Sequence, residues 1–267
     1  MPYFTGPHDM QVYYEEFGRG PTVLFISPTL STHGFWEDQV HALSTDHRTV
    51  TFDWPGSGLS DKPNVDYGYE LAVDALSTLI GLIDPEDLTV VAEGVGSHLG
   101  ILLAERHPDI VKRLAVISGG PWMHGMKDGK VGGLPEEFLL WVAATRTNDL
   151  PVEYYTNMVE RFYFLETPSP ELVRWVVDDC LRWPMHVFRC YSDSMDELDH
   201  RERAARIQQP VLVMHGRHDL KQRYEGAVLL ADLLPNGRLH TFERSAHMPN
   251  LEEKIRFNEA LRAFIHS

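Results

Sequence analysis

The stretch "VVAEGVGSHLG", residues Val90 to Gly100, decides how the chain is read. With Leu88 and Thr89 it begins as a continuous apolar run, the kind that fills a strand buried on both faces. Glycines at 94 and 96 break that run, and a helical pattern follows from Ser97 to His107. The segment predicts a strand, a tight turn and a helix in quick succession. Gly94 stands in the turn, and its meaning depends on the rest of the chain.

Working outward, short β-branched runs alternate with longer periodic segments. "QVYYEEFG", "TVLFISP", "RTVTFDWPG", "LTVVAEG", "RLAVISGG", "VLVMHG" and "RLHTFE" read as strands. Helices are predicted at Tyr69 to Leu82, Ser97 to His107, Arg223 to Leu234 and Leu251 to Ile265. Strand alternating with helix implies an α/β protein, a mostly parallel sheet with helices on both faces. The alternation breaks once. From Pro121 to about Arg206 there is no convincing strand, only helical stretches with many aromatics, among them Trp141, Tyr154, Phe162 and Trp183. This predicts a core from residues 1–120 and 207–267, and an inserted helical lid at 121–206 over the carboxyl ends of the strands, where open α/β sheets bind ligands. The lid's aromatics either pack its own interior or face a ligand.

Composition narrows the function. A chain of 267 residues with 43% hydrophobic and 24% charged residues is ordinary for a folded domain of this size. The formal charge of −15 argues against a nucleic-acid partner, because such binding needs clustered Lys and Arg. Cys180 and Cys190 are the two cysteines; buried free thiols are expected, and no metal-ligand spacing involves them. "MPYFTGPHDMQVYYEEFG" lacks a basic start followed by an apolar run, and no stretch approaches the roughly 18 apolar residues of a membrane span. A soluble, cytoplasmic protein acting on a small molecule without a cofactor is expected. Monomer and homodimer both stay open.

Four features together resemble the α/β-hydrolase superfamily along almost the whole chain. "FDWPGSGLSD" is similar to that family's strand-end turn, and "ILLAERHPDIVKRLAVIS" to the helix and strand after its nucleophile turn. "PVLVMHGRHD" ends in Asp219 just past a strand, and "FERSAHMPNLEEKIRFNEALRAFI" puts His247 in a loop before the last helix. The family's order is nucleophile, acid, histidine. The resemblance implies that Asp219 holds the His247 tautomer and stabilises its imidazolium, with His247 as general base.

The family's turn reads small–x–nucleophile–x–small. "Ala92-Glu93-Gly94-Val95-Gly96" satisfies it with Gly94 at the centre, and the distance from Gly94 to His107-Pro108 also resembles the family's spacing. Centring on Ser97 would put Val95 and Leu99 in the small positions, so Ser97 reads as a helix residue packed on the sheet. The resemblance also implies an oxyanion hole from the backbone N–H of Val95 and of Thr29, or of Leu30 if the early loop is read one residue later. There the family's usual His-Gly pair is replaced by Ser27-Pro28, similar to the "S-x-S-L" form of enol-lactonase-like relatives, and Pro28 itself has no N–H to donate.

Trp122, Met123, Met126, Trp141 and Trp183 favour a moderately large apolar or aromatic substrate over a phosphate or a sugar. His33, His98 and His124 lie near the predicted mouth without metal spacing and read as pocket or surface residues; no metal is expected. Glu93, beside the turn, reads as a structural polar contact. "GVGSHLG" has neither the lysine nor the full glycine spacing of a nucleotide loop.

A glycine relaxes the strain that this turn imposes on a side chain and removes the oxygen needed for a covalent acyl-enzyme. Three readings follow. In the first, the chain is an ester or lactone hydrolase whose nucleophile has been removed. The second is an enzyme that uses His247 and Asp219 without a covalent step, on water or on a substrate proton, as a hydrolase, lyase, isomerase or cofactor-free oxygenase. Third is a non-catalytic ligand-binding member.

Overall fold

The computed structural model describes residues 2–123, 125–127, 129–131, 133–145, 151–195 and 198–267. Its first half builds the sheet inward from one edge: β1 (Tyr3–Thr5), β2 (Gln11–Phe17), β3 (Thr22–Ile26), α1 (Glu37–Leu43), β4 (Arg48–Phe52), α2 (Tyr69–Ile83), β5 (Leu88–Glu93), α3 (Gly96–Arg106) and β6 (Val111–Ile117). An insertion follows, with β7 (Met126–Lys127), β8 (Lys130–Val131), α4 (Glu136–Thr145), α5 (Val152–Phe162), α6 (Pro170–Cys180), α7 (Met185–Asp193) and α8 (Arg201–Ala204). The sheet then resumes with β9 (Val211–Gly216), α9 (Tyr224–Leu233), β10 (Gly237–Phe242), α10 (Pro249–Glu252) and α11 (Lys254–Ile265).

Eight strands form one sheet in the order β1-β2-β4-β3-β5-β6-β9-β10. From β2 onward only the β2–β4 pairing is antiparallel, and β4, β3, β5, β6, β9 and β10 run parallel. Every residue of β3, β5 and β9 is buried, as their mostly apolar sequences require of strands covered on both faces. On α2 the buried set Ala72, Val73, Leu76, Leu79, Ile80 and Ile83 recurs every three or four residues and lies against the sheet. Burial of each such aliphatic side chain contributes about 1.5–3 kcal/mol. α3 is buried from Gly96 to Ala104, more completely than an amphipathic helix on an open face.

Three details differ from the sequence reading. The insertion contains a small antiparallel hairpin, β7 with β8, where no strand was expected; at two residues per strand it is too short to show alternation. The last predicted helix is two: Glu253, at φ −118° and ψ 45°, separates α10 from α11. β1 and α1 went unrecognised because three and seven residues carry little periodic signal. Cys180 is buried and Cys190 half-buried, both free thiols.

Connectivity fixes where a ligand can enter. From β3 the chain goes to β4 on one side and returns to β5 on the other, so the loops leaving β3 and β5 diverge. Crevices open at such switch points, beyond the carboxyl ends of the strands. Ile26 pairs with Ala92 and Glu93 with Ile117, which brings the loop at 27–30 level with the turn at 94–95.

Candidate active site

Gly94 closes β5 in a left-handed conformation, φ +55°, its N–H donating to Ile117 O at 2.9 Å. That backbone region is open to glycine and costs an L side chain roughly 1–2 kcal/mol. A Cβ built on Gly94 would lie 3.2 Å from Pro28 Cβ and 3.8 Å from His247 Nε2. A side chain at this position would therefore point at the imidazole.

His247 sits in the loop between β10 and α10. Its N–H donates to Tyr163 O at 3.1 Å, and its carbonyl accepts from Ser118 Oγ at 2.8 Å. Close approach of the loop to β9 depends on Gly216, where a Cβ would fall 1.9 Å from Ala246 O. Asp219 lies in the turn after β9. Lys221 N and Gln222 N donate to its Oδ1 at 2.8 and 2.9 Å, leaving Oδ2 to accept from His247 Nδ1 at 2.7 Å, with His215 Nε2 at 3.3 Å.

The electrostatics follow from burial. Desolvation alone would raise Asp219, but the His247 and His215 rings outweigh it and hold the carboxyl below its ordinary range. Desolvation pushes His247 below its ordinary value despite the pull of Asp219. The resting ring is neutral. Because a carboxylate only accepts, Nδ1 carries the proton and Nε2 the lone pair. Nε2 is buried and has no partner among the described residues. It is a base aimed at the space beside Gly94.

That space belongs to a cavity of about 630 Å³, counting the part that opens to solvent. Thr29, Leu30, Gly94, Val95, Met123, Trp141 and His247 all line it, and Asp219 stands behind His247. Among the described residues the N–H groups of Thr29, Leu30 and Val95 have no acceptor. Leu30 holds φ +65°, a strained value for a side-chain-bearing residue.

Other candidates fall elsewhere. Trp122 does not line the cavity: its Nε1 donates to Gly125 O, and Arg201 stacks over its ring at 5.0 Å. Trp183 also lies outside the lining, donating to Ser31 O at 2.8 Å and packing on Trp54 at 5.7 Å. An indole satisfied in this way acts as core. His33 bonds Asp53 at 2.9 Å, and His98 stacks on His200 at 4.9 Å. His124 and the Met126 side chain lie outside the described residues. Ser97 Oγ donates to Gly94 O at 2.6 Å, turned into the helix start rather than toward His247. Glu93 is not a polar contact, since neither carboxyl oxygen has a partner among the described residues; burial raises its carboxyl well above the ordinary range against the pull of Lys221.

Lys221 was missed, although it lies two residues beyond Asp219. It is buried and lines the cavity, and desolvation pushes its amine down to about 8 against the pull of Asp219 and Glu93. Phe138 and Met158 also line the wall and were not singled out, and Tyr163 counted only as one of the insertion's aromatics, because such residues look alike in sequence whether they face a core or a cavity. Asp46, His47 and His266 bring potential metal-ligating atoms within 4.8 Å of one another, near the amino end of β4 and away from the cavity.

A family model described as the alpha/beta hydrolase fold matches residues 21–254. The chain belongs to that family. Among its relatives, a pimeloyl-acyl-carrier-protein methyl ester esterase of Nitrosomonas europaea is 24% identical over 90% of this chain and 94% of its own. Among solved structures, an esterase from Exiguobacterium antarcticum superposes with a TM-score of 0.91 at 20% identity, covering 99% of each chain. The enol-lactonase from Burkholderia xenovorans superposes at 0.87 with 21% identity, covering 100% of each. At these identities the superpositions show the alpha/beta hydrolase fold itself. No helix among the described residues is long and apolar enough to cross a membrane.

Proposed function

We propose that the chain carries the active site of a hydrolase for a carboxylic ester or lactone of moderately large apolar or aromatic character. In this reading His247 is the general base, Asp219 fixes its tautomer, and Gly94 occupies the nucleophile position. The N–H of Val95, with that of Thr29 or Leu30, stabilises the oxyanion, and the helical insertion is a lid over the cavity. The carrying observation is the buried, unpartnered Nε2 lone pair of His247, 3.8 Å from where a Cβ on Gly94 would be. A serine hydroxyl there falls within hydrogen-bond reach of that lone pair. The esterase and enol-lactonase names of relatives and neighbours agree with attack on an acyl carbonyl.

With glycine at 94, the base acts on water. His247 Nε2 takes a proton from a water beside Gly94 as the oxygen adds to the carbonyl carbon, and the oxyanion draws on the free N–H groups. Collapse then breaks the acyl–oxygen bond, and the departing alkoxide takes the proton back from His247. Without a covalent step the route is slow, resting on binding and the oxyanion hole, which in serine hydrolases retain about 10³–10⁴-fold over water when the triad is broken.

The test is a set of three proteins, the chain itself, Gly94→Ser, and Gly94→Ser with His247→Ala, assayed with aryl esters and lactones and treated with a fluorophosphonate. Labelling and accelerated hydrolysis in the single variant, both lost in the double, are the expected result. A folded Gly94→Ser protein that neither labels nor accelerates would refute the reading.

A further inference from the structure

Lys221 is held at the cavity by the turn that builds the dyad. Its own N–H donates to Asp219 Oδ1 at 2.8 Å. Its side chain is buried, and its Nζ lies 4.5 Å from the centroid of the Tyr163 ring and 5.3 Å from that of Phe138. Nζ donates to Tyr163 Oη at 3.3 Å, its single hydrogen bond among the described residues. The Tyr163 ring also meets His247, with ring centroids 5.6 Å apart. The ammonium and the base thus both contact one aromatic ring, and both line one cavity.

A buried ammonium has three N–H groups to satisfy and a charge to balance. Two aromatic faces supply part of the balance. No described carboxylate makes an ion pair with it. Asp219 has both oxygens engaged by His247, His215 and the backbone of its own turn, and Glu93 is buried. Most of the rest of the wall is apolar, including Leu30, Leu134, Trp141 and Phe188, with Thr29, Ser118 and Gln222 among its few polar residues. One cation in an apolar cavity complements a ligand with one anionic group on an apolar body.

We infer that Lys221 is a specificity-determining residue, and that the cavity selects molecules carrying a carboxylate on an apolar or aromatic skeleton, the carboxylate pairing with Nζ beside Tyr163. This rests on the reading of the cavity as the active site and narrows its substrate class to esters or lactones that also bear a free carboxylate. Tyr163 and Phe138 steer the ammonium, and the ligand's carboxylate adds a direct ion pair to the more distant pull of Asp219.

The experiment measures binding rather than turnover. Calorimetric dissociation constants are compared for 4-phenylbutanoate and 4-phenylbutan-1-ol, which share a skeleton and differ in charge, on the intact protein and on Lys221→Met and Lys221→Gln. A charge-assisted contact predicts a preference for the carboxylate on the order of 10- to 100-fold in the intact protein. Both variants should lose it while keeping affinity for the alcohol. Equal affinities in the intact protein, or a carboxylate preference surviving in both neutral variants, would overturn the inference. Failure of Gly94→Ser to label, with the preference intact, would remove the hydrolase reading alone. Successful labelling without the preference would remove this one alone.

Discussion

Gly94→Ser should trade stability for rate, and the structure sets the size of both sides. The backbone at 94 has φ +55°, and a side chain there costs about 1–2 kcal/mol of left-handed strain. Its Cβ would stand 3.2 Å from Pro28 Cβ, so Pro28 must yield slightly. Against this, replacing glycine restricts the unfolded chain and returns about 0.4–1 kcal/mol. The net is a loss of about 1 kcal/mol, read in a urea melt, or a Tm lower by about 2–4 °C if the chain melts cooperatively. On the other side, removing the nucleophile of a serine protease costs about 10⁶ in kcat, so restoring one against an aligned His247 should raise ester hydrolysis by at least about 10³. Gly94→Ala separates the two effects: it should share the stability loss and gain no rate. If Gly94→Ser lost stability but gained no rate, His247 Nε2 would not be aligned with position 94. A gain in rate with a rise in stability would refute the strained turn instead.

Further outcomes follow from the same geometry. In the Gly94→Ser background, Asp219→Asn should present an amide N–H to His247 Nδ1, invert the ring tautomer and lower kcat by about 10⁴, as that exchange does in serine proteases; a loss below tenfold would count against Asp219 as the orienting acid. Lys221 has a folded value of about 8 against 10.5 for a free amine, so the unfolded chain binds more protons at this group between those limits and its own contribution to stability should rise with pH from 8 to 10.5, while Cys180, whose thiol burial pushes up to about 12, contributes in the opposite sense above pH 9. Lys221→Met should remove that contribution and, at pH 7, stabilise the protein by roughly 3 kcal/mol, at about 1.4 kcal/mol per pH unit; denaturant melts of the intact protein and the variant decide it, the stability gap between the two narrowing from pH 7 to pH 10. Trp183→Phe should cost about 1–3 kcal/mol through the orphaned Ser31 carbonyl while leaving ligand affinity unchanged, whereas Trp141→Ala should weaken binding of 4-phenylbutan-1-ol. A reversed pattern in calorimetry would show that the cavity wall is misassigned.

The sheet was readable because its strands announce themselves. LTVVA and VLVMHG are predominantly apolar, β-branched and short, as in a strand covered on both faces, so β5 and β9 could be placed within a residue or so. Gly94 and Asp219 lie at the end of such a strand or just past one, whereas His247 lies beyond β10, a largely half-buried strand, and was proposed from the resemblance of its loop and following helix to the family. The cavity wall was not readable in the same way. Trp141 and Trp183 are equivalent as letters in a helical insertion; one lines the cavity and the other donates to Ser31 O, across 152 residues of chain. Long-range partners of that kind leave no local periodicity. Lys221 was hidden for a related reason: a lysine in a polar-looking turn reads as solvated, and only the packing of Tyr163 and Phe138 from the insertion makes it buried.

That packing explains why the site's geometry does not need a side chain at 94. The histidine loop is held from three directions, by Ser118 at the end of β6, by the Tyr163 carbonyl beyond α5, and by the close approach over Gly216. Asp219 is fixed by two N–H groups of its own turn before it meets His247. None of these bonds passes through residue 94. The dyad is therefore organised by the scaffold rather than by a nucleophile, and Gly94, free of left-handed strain, leaves it undisturbed. It follows that Gly94→Ser should need no compensating change elsewhere for His247 to engage it. A structure of that variant with the His247 ring rotated away from Asp219 would show that the arrangement of the base depends on the residue it faces.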